Sequence, residues 1–343
     1  MRHLKNHTAL KRYRIESHSG VEFHPKGIVY LKRRNFWIDS THTVTGDAPK
    51  DFVYIYDYED IKNTGIHRKN KTCWTRYIAK VGHKHYPMES ITEHLLTELG
   101  KCFGLEMAES KLAYMNGQLR YLSRYFLEYN WMQLEHGADL LSGYLGEEPS
   151  FAEMVDRENL SPTFFTLQFI EEALSYHFSL QKDLIMKSLV RLFLFDALIG
   201  NNDRHFFNWG IIKAVDQRIQ PYFAPIYDTA RGLLWNFSES RLEQKYQCNY
   251  EQFLKKYCDQ SKPKVGWEGN NGLTHFQLVK EIYSNQFYIT REELKEIFDE
   301  KLLHEMIKII KDEFALLLSV RRKAMIIDVL TYRFQMIRSI IWA

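Results

Sequence analysis

The chain has 343 residues, of which 45% are hydrophobic, 15% aromatic and 26% charged. This composition is that of a globular protein with a sizeable core, and it excludes disorder over most of the chain. Basic and acidic residues nearly balance, 46 against 43, giving a net charge of +3. That charge falls short of the strongly basic surface of a dedicated nucleic-acid binder.

Cysteine usage and hydropathy indicate the compartment. The four cysteines stand at positions 73, 102, 248 and 258, and no two of them form the C-x-x-C pair of a zinc or redox site. The N-terminus lacks an apolar secretory segment. The most apolar run, 184–199, contains charges and is too short to span a bilayer, so it predicts a buried core helix. We expect a cytoplasmic protein with no membrane partner and no direct nucleic-acid partner.

The first part of the chain predicts a small β-rich lobe, residues 1–128. A helical pattern follows Pro87, with apolar residues on one stripe. Asn116-Gly117 between two apolar runs is a strong hairpin signal. Short β-branched and aromatic runs predict strands over 27–31, 52–58, 74–81, 111–115 and 119–126.

After Tyr129 the pattern becomes mostly helical, which predicts a second and larger lobe over 129–343. The predicted helices cover 150–158, 163–177, 180–199, 239–258, 273–284, 290–298 and a series from 301 to 341. The fold class predicted is therefore α+β, with a small mixed N-lobe of β-sheet and one helix and a larger, mostly helical C-lobe.

One polar segment interrupts the helical part. Segment 198–212 follows a long apolar helix and contains Asp203 and Asn208, five residues apart, the spacing of the kinase catalytic loop. Phosphoryl transfer needs a carboxylate to take the proton of the attacking hydroxyl and an oxygen ligand nearby for Mg²⁺. We predict Asp203 as the catalytic base and Asn208 as a metal ligand, with ordinary turn chemistry as the alternative. His205 is expected to be structural, and Arg204 to contact either a phosphate or a carboxylate.

A second metal ligand is predicted at Asp228. It follows the apolar run Ala224-Pro-Ile-Tyr and precedes a turn that contains Gly232. An Asp in this position bridges the metal and the phosphates in protein kinases. The alternative is a simple helix cap.

The nucleotide half of the site is predicted in the N-lobe. Lys80 ends a strand-like run, and Glu89 and Glu93 lie in the next helix, an order typical of the ion pair that positions ATP. The two acids share one helix face, so periodicity does not choose between them. A solvated lysine and a solvated helix face are the alternatives.

Two further segments are candidates for nucleotide contacts. Residues 43–50, with Gly46 and Lys50, are predicted to form either a phosphate-covering turn or a plain surface loop. Ser123 and Tyr125 lie where the hairpin would join the lobes, and backbone groups there are expected to pair with adenine. The sequence contains neither G-x-x-x-x-G-K-[ST] nor G-x-G-x-x-G, so a Walker or Rossmann site has no support.

These motifs resemble the HipA-like serine/threonine kinases. Segment 200–209, Gly-Asn-Asn-Asp-Arg-His-Phe-Phe-Asn-Trp, and segment 225–228, Pro-Ile-Tyr-Asp, are similar to that family's catalytic-loop and metal-binding signatures. Lys80-Val-Gly with Glu93-His-Leu-Leu extends the likeness into the N-lobe and favours Glu93 over Glu89. The resemblance covers roughly residues 40–340, and about 40 residues stand where HipA carries an extra subdomain. This implies either a shorter, stand-alone member or one whose missing piece is a separate protein.

The resemblance implies a bilobal, protein-kinase-like fold that uses ATP and Mg²⁺ to phosphorylate Ser or Thr of a protein. Such kinases are often the toxin of a bacterial toxin–antitoxin pair, with aminoacyl-tRNA synthetases among their substrates and a HipB-like helix-turn-helix antitoxin as partner. Thr43 and Thr45 are the candidates for an inhibitory autophosphorylation, which would act through added charge. A kinase of lipids or small molecules and a catalytically silent pseudokinase remain the alternatives.

Overall fold

The computed structural model describes residues 23–42, 50–57, 69–82, 88–270 and 272–343. The fold is α+β and bilobal, with a β-rich N-lobe and a mostly helical C-lobe, as the sequence predicted. The predicted boundary after residue 128 falls between two strands that belong to different sheets, and we keep it as a proposal.

Six strands within the described ranges form the sheet of the N-lobe. They are β1 (Val29–Tyr30), β2 (Phe36–Asp39), β3 (Lys50–Ile55), β4 (Thr75–Lys80), β5 (Ser110–Met115) and β6 (Gln118–Arg124). Their spatial order is β1-β5-β6-β4-β3-β2, antiparallel except where β1 meets β5. Asn116 and Gly117 join β5 to β6 with φ of 52° and 79°, the backbone of the predicted hairpin turn. Strand β2 was not predicted.

Side chains alternate across this sheet and give it two unlike faces. One face carries a small apolar cluster that includes Val53 of β3, Tyr77 of β4 and Leu122 of β6. The other face carries Lys50 of β3 opposite Lys80 of β4. The sheet therefore presents two cations toward the rest of the molecule.

The helices follow the predicted order with differences at their ends. They are α1 (Glu89–Cys102), α2 (Gly137–Leu145), α3 (Pro149–Arg157), α4 (Ser161–Phe164), α5 (Leu167–His177), α6 (Lys182–Ile199), α7 (Glu239–Gln247), α8 (Tyr250–Asp259), α9 (His275–Asn285), α10 (Arg291–Ile297), α11 (Glu300–Asp312) and α12 (Val320–Ile341). The prediction of one helix over 239–258 was wrong, because Asn249 takes a φ of 52° and separates α7 from α8. Helix α2 was not predicted.

A second, antiparallel sheet lies in the C-lobe. It consists of β7 (Met132–His136), β8 (Gly210–Ala214) and β9 (Tyr222–Phe223), in that spatial order. Strand β8 begins directly after the predicted catalytic loop, and β9 shortly precedes Asp228. The small sheet therefore fixes the chain directly after the predicted catalytic loop and shortly before Asp228.

Helix α6 is the predicted core helix, and most of its side chains are buried. Gly200 ends it with a φ of 70° and donates its N–H to the carbonyl of Asp196. The chain therefore leaves the core at a fixed point and enters the catalytic loop. Among the described residues, we find no helix with the length and apolar character that a bilayer crossing requires.

Candidate active site

Lys80, the last residue of β4, forms two short ion pairs. Its Nζ lies 2.6 Å from Oε1 of Glu93 and 2.9 Å from Oδ1 of Asp228. Lys80 and Glu93 are 7% and 3% exposed, so each charge depends on its partner for stabilisation. Of the two candidate acids, the structure brings Glu93 to Lys80. Glu89 instead lies near Arg231, with 3.9 Å between Oε1 and Nε.

A second lysine contacts the same aspartate. Nζ of Lys50, the first residue of β3, lies 3.2 Å from Oδ2 of Asp228. Burial acts to raise the pKa of Asp228, but Lys80 and Lys50 outweigh it and hold that pKa well below its ordinary range. Burial raises the pKa of Glu93 to about 7; Lys80 acts in the opposite direction, and the negative charge of Asp228 adds to the rise. Asp228 is consequently the fully ionised carboxylate at the centre of the group.

The backbone at Asp228 is held in an uncommon conformation. Its φ is 54°, the left-handed region that few residues other than glycine occupy. Just before it, Ile226 donates its N–H to the carbonyl of Glu106 at 2.7 Å and accepts from the N–H of Ala108 at 2.9 Å. These bonds attach the segment to the connection between α1 and β5. Such a conformation persists where surrounding contacts enforce it, often at functional sites.

Asp203 lies on the predicted catalytic loop and pairs with a residue that the sequence did not single out. Nη1 of Arg231 lies 3.1 Å from Oδ2 of Asp203. Burial raises the pKa of Asp203, and Arg231 acts in the opposite direction. Nδ2 of Asn208 donates to the backbone carbonyl of Asp203 at 2.9 Å. Oδ1 is thus the atom of that amide that is able to bind a cation.

Arg204 connects the predicted catalytic loop to the segment that precedes Asp228. Its guanidinium is 1% exposed and pairs with Asp196 of α6, with 2.9 Å between Nε and Oδ2. Its Nη1 donates to the carbonyls of Asn208 at 2.9 Å and Tyr227 at 3.0 Å. Of the two contacts expected for Arg204, the structure shows the carboxylate. This buried arginine fixes the catalytic loop against the residue before Asp228.

His205 and Tyr227 complete the support of the loops. Nδ1 of His205 accepts a hydrogen bond from the N–H of Phe207 at 3.3 Å, which agrees with the structural role expected for this histidine. The hydroxyl of Tyr227 lies 2.8 Å from Nδ1 of His136 and donates to the carbonyl of Phe207 at 3.2 Å. Both side chains therefore bond to the loop backbone.

Ser123 and Tyr125, the residues predicted to contact adenine, both bond to the N-lobe sheet through their backbone. Ser123 lies inside β6, between Ile78 of β4 and Ser110 of β5. The N–H of Tyr125 donates to the carbonyl of Arg76 at 2.9 Å. Both positions therefore contribute backbone to the sheet, and their contact with a nucleotide stays a prediction.

An aromatic surface on the cationic face of the sheet was missed from the sequence. The ring of Tyr125 packs edge-on against Phe52, with 5.0 Å between centroids, and His42 stacks on Phe52 at 4.9 Å. Phe52 is two residues from Lys50 on the same strand, so the two side chains share a face. Gly46, Thr43 and Thr45 lie outside the described residues.

The oxygens of Asp228 and Asn208 fit Mg²⁺. This ion binds proteins through one or two carboxylates and completes its octahedral shell with phosphates and water. The pairing of Asp228 with two ammonium groups shows that its carboxylate already attracts positive charge. Among the described residues, no cluster of three or more His, Cys, Asp or Glu forms a metal site of its own. One carboxylate and one amide oxygen fit a Mg²⁺ ion whose other ligands are phosphates and water.

Comparison with known proteins identifies the family. The family model of the HipA-like C-terminal domain matches residues 43–303, well over half of the chain. The chain belongs to the HipA-like family. No curated protein matches it in sequence.

Solved structures agree on the fold. The HipA-like chain is similar to the crystal structure of CtkA, a proinflammatory kinase of Helicobacter pylori, with a TM-score of 0.69 and 14% identity over 92% of this chain and 96% of that one. It is also similar to HipA of Shewanella oneidensis in a complex with HipB and operator DNA. That match has a TM-score of 0.50 and 13% identity over 95% of this chain and 69% of that one.

Proposed function

We propose that this HipA-like protein is an ATP-dependent kinase that phosphorylates a Ser or Thr hydroxyl of a protein. The observation that carries the proposal is the convergence of Lys80, Glu93 and Asp228, which come from a strand, a helix and a loop. The carboxylates of Glu93 and Asp228 lie 2.6 and 2.9 Å from Nζ of Lys80. A strand lysine paired with a helix glutamate is the arrangement that positions ATP in kinases.

Each residue then has a defined task. Lys80, oriented by Glu93, binds phosphate oxygens of the nucleotide, and Asp203 accepts the proton of the attacking hydroxyl. The raised pKa of Asp203 makes it a better proton acceptor than an ordinary aspartate. Asp228 and Asn208 hold Mg²⁺, which supplies charge neutralisation at the phosphates. Lys50 is a second cation for phosphate, and Gly46, Ser123 and Tyr125 are the remaining proposed nucleotide contacts.

The proposal is tested by incubating the purified protein with labelled ATP, Mg²⁺ and a cell lysate. Transfer of label to protein is expected for the wild type and should be lost in Asp228→Ala and Asp203→Ala. A thermal-shift titration with Mg-ATP should show stabilisation of the wild type, because a ligand that binds the native state raises its apparent stability. Labelled lipid instead of protein would indicate a lipid kinase. The absence of any nucleotide-dependent shift would indicate a pseudokinase.

We further propose a place in a toxin–antitoxin system in the cytoplasm. The support is the fold shared with a HipA that was solved in complex with HipB and operator DNA. A HipB-like helix-turn-helix protein is the expected antitoxin, and an aminoacyl-tRNA synthetase is a candidate substrate. Growth arrest on expression that a co-expressed neighbouring helix-turn-helix protein relieves would support this role; unaffected growth would contradict it.

A further inference from the structure

A cavity of about 390 Å³ opens beside the catalytic loop. Gly200, Asn202 and Arg231 are among its lining residues, and Arg231 also contacts the carboxylate of Asp203 at 3.1 Å. One lining residue of the cavity therefore contacts the proposed catalytic base. Its volume lies in the range of pockets that hold small ligands or a few side chains.

The charge of this cavity is of one sign. Together with Arg231, it is lined by Arg241 and Lys245 of α7 and Lys256 of α8. No Asp or Glu occurs among the described residues that line it. We call the surface formed by these four residues the cationic groove. In a cavity with low-dielectric walls, charges of one sign attract ligands of the opposite sign.

The acidic and the basic side chains of α7 lie on different faces of the helix. Glu239 and Glu243 pair with arginines of α12, at 2.6 Å from Nε of Arg322 and 2.8 Å from Nε of Arg321. Arg241 and Lys245, which are also four residues apart, line the cavity instead. The acids of the helix are thus neutralised on the side away from the groove.

Aromatic rings support three of the four cations. Arg231 lies over Trp235 at 5.2 Å, and Arg241 lies over Phe237 at 4.4 Å. Nζ of Lys245 is 5.8 Å from the ring of Phe253. Cation–π contacts order these side chains without cancelling their charge. The charges of Arg241 and Lys245 therefore remain available to a ligand, whereas Arg231 is paired with Asp203.

The charge of Lys256 is not neutralised by the neighbouring acid of its own helix. The nearest acid of its helix, Asp259, pairs with Lys255 at 2.8 Å and accepts a hydrogen bond from the hydroxyl of Tyr332 at 3.0 Å. Within the described part of the chain, neither Lys256 nor Lys245 forms an ion pair. Three cations of the groove, those of Arg241, Lys245 and Lys256, thus lack a carboxylate partner among the described residues, which suits an anionic ligand.

We propose that the cationic groove binds an acidic stretch of the protein substrate, next to the Ser or Thr whose hydroxyl reaches Asp203. This inference rests on the proposed function. The position of the groove beside Asp203 favours a segment that flanks the phosphorylated residue. The chain's own residues 1–22, with five Lys or Arg against two Glu, have the wrong charge to occupy it.

The test measures binding, which needs no phosphoryl transfer. A fluorescent peptide with one Ser followed by several Glu is titrated with the full chain, and anisotropy gives Kd. In the triple variant Arg241→Gln/Lys245→Gln/Lys256→Gln, Kd should rise about tenfold, since each exposed ion pair contributes modestly. A charge-matched control, Arg218→Gln/Lys295→Gln/Lys308→Gln, removes three exposed cations outside the groove and should leave Kd within about twofold.

Several results would overturn the inference. Equal weakening in the triple variant and its control would show a general charge effect, and unchanged affinity in the triple variant would remove the groove from binding. A single-stranded RNA of equal charge that binds more tightly, and loses that affinity in the triple variant, would assign the groove to nucleic acid. Circular dichroism and melting curves verify that both variants are folded.

A charge reversal separates this inference from the proposed function. Arg241→Glu/Lys245→Glu/Lys256→Glu, which leaves one cation against three acids in the groove, should bind a Lys-flanked peptide better than the Glu-flanked one, whether or not either peptide is phosphorylated. If binding follows charge but no peptide accepts phosphate, the groove stands and the proposed kinase activity fails. If peptides are phosphorylated with no preference for acidic flanks in the wild type, the kinase activity stands and the groove proposal fails.

Discussion

The guanidinium of Arg231 lies 3.1 Å from the carboxylate of Asp203, although the two residues belong to different loops. Arg231 stands three residues after Asp228, so it links the segment of the proposed metal ligand to the proposed base. It also approaches Glu89 of α1 to 3.9 Å. This arginine thereby connects α1 of the N-lobe, the segment that contains the proposed metal ligand Asp228, and the predicted catalytic loop.

Replacement of Arg231 should change the pH dependence of activity. Arg231 lowers the pKa of Asp203, while burial raises it; without the arginine, the pKa should rise further. Asp203 accepts a proton only when ionised, so the acid limb of the kcat/KM profile in Arg231→Gln should move to higher pH. Arg218→Gln, which removes an exposed arginine paired with Asp216, is the control. Superimposable pH profiles for all three proteins would contradict the link.

Glu93 and Glu89 offer a matched pair of substitutions on one helix face. Glu93→Gln removes the 2.6 Å ion pair with Lys80, so the lysine should lose its fixed position at the phosphates. We expect a fall in kcat/KM for ATP on the order of tenfold to a hundredfold, the usual result of misplacing a positioning group. Glu89→Gln should leave the KM for ATP nearly unchanged. Equal effects of the two changes would show that Glu93 has no special role.

The sequence predicted the fold class because spacing and periodicity are local properties. Asp203 and Asn208 stand on one loop, and Lys80 and Glu93 on neighbouring elements, so candidate roles could be assigned to them from sequence order. Arg231 could not be found in this way, since its contact with Asp203 depends on how two loops approach each other. The sequence feature that could have pointed to Arg231 is its position three residues after Asp228.

The buried partner of Arg204 was hidden for a related reason. Asp196 lies in the last turn of an apolar helix, where one carboxylate gives no sign of its partner. The fold brings Arg204 back onto it eight residues later, within a loop that has no period. Likewise, the break between α7 and α8 depends on the left-handed backbone of Asn249, while the surrounding apolar spacing still favours one helix.

Breaking the Arg204–Asp196 pair should affect stability more than any change at Asp203. Both partners are 1% exposed, and removing one partner of a buried ion pair costs about 3–5 kcal/mol. We expect Asp196→Asn to lower the free energy of unfolding in urea by an amount in that range. Asp203→Asn, at a partly exposed carboxylate, should change it by less than about 1 kcal/mol. Equal unfolding midpoints for Asp196→Asn and the wild type would show that the pair does not hold the loops.

Stability should also decrease with acidity through His94 of α1. Nδ1 of His94 lies 2.8 Å from Oγ of Ser110, and burial lowers the pKa of this histidine from 6.5 to about 4. The unfolded chain therefore binds a proton at a higher pH than the native protein does. The free energy of unfolding should fall as pH drops from 6.5 toward 4, by up to about 3 kcal/mol from this group.

The measurement compares urea unfolding at pH 7 and pH 5 in the wild type and in His94→Gln. The variant cannot take up this proton, so its loss of stability between the two pH values should be smaller than that of the wild type. His304→Gln, at an exposed position on α11, should retain the full pH dependence. Equal pH dependence in His94→Gln and the wild type would mean that the acid sensitivity arises elsewhere, and a steeper loss in the variant would reverse the predicted sign.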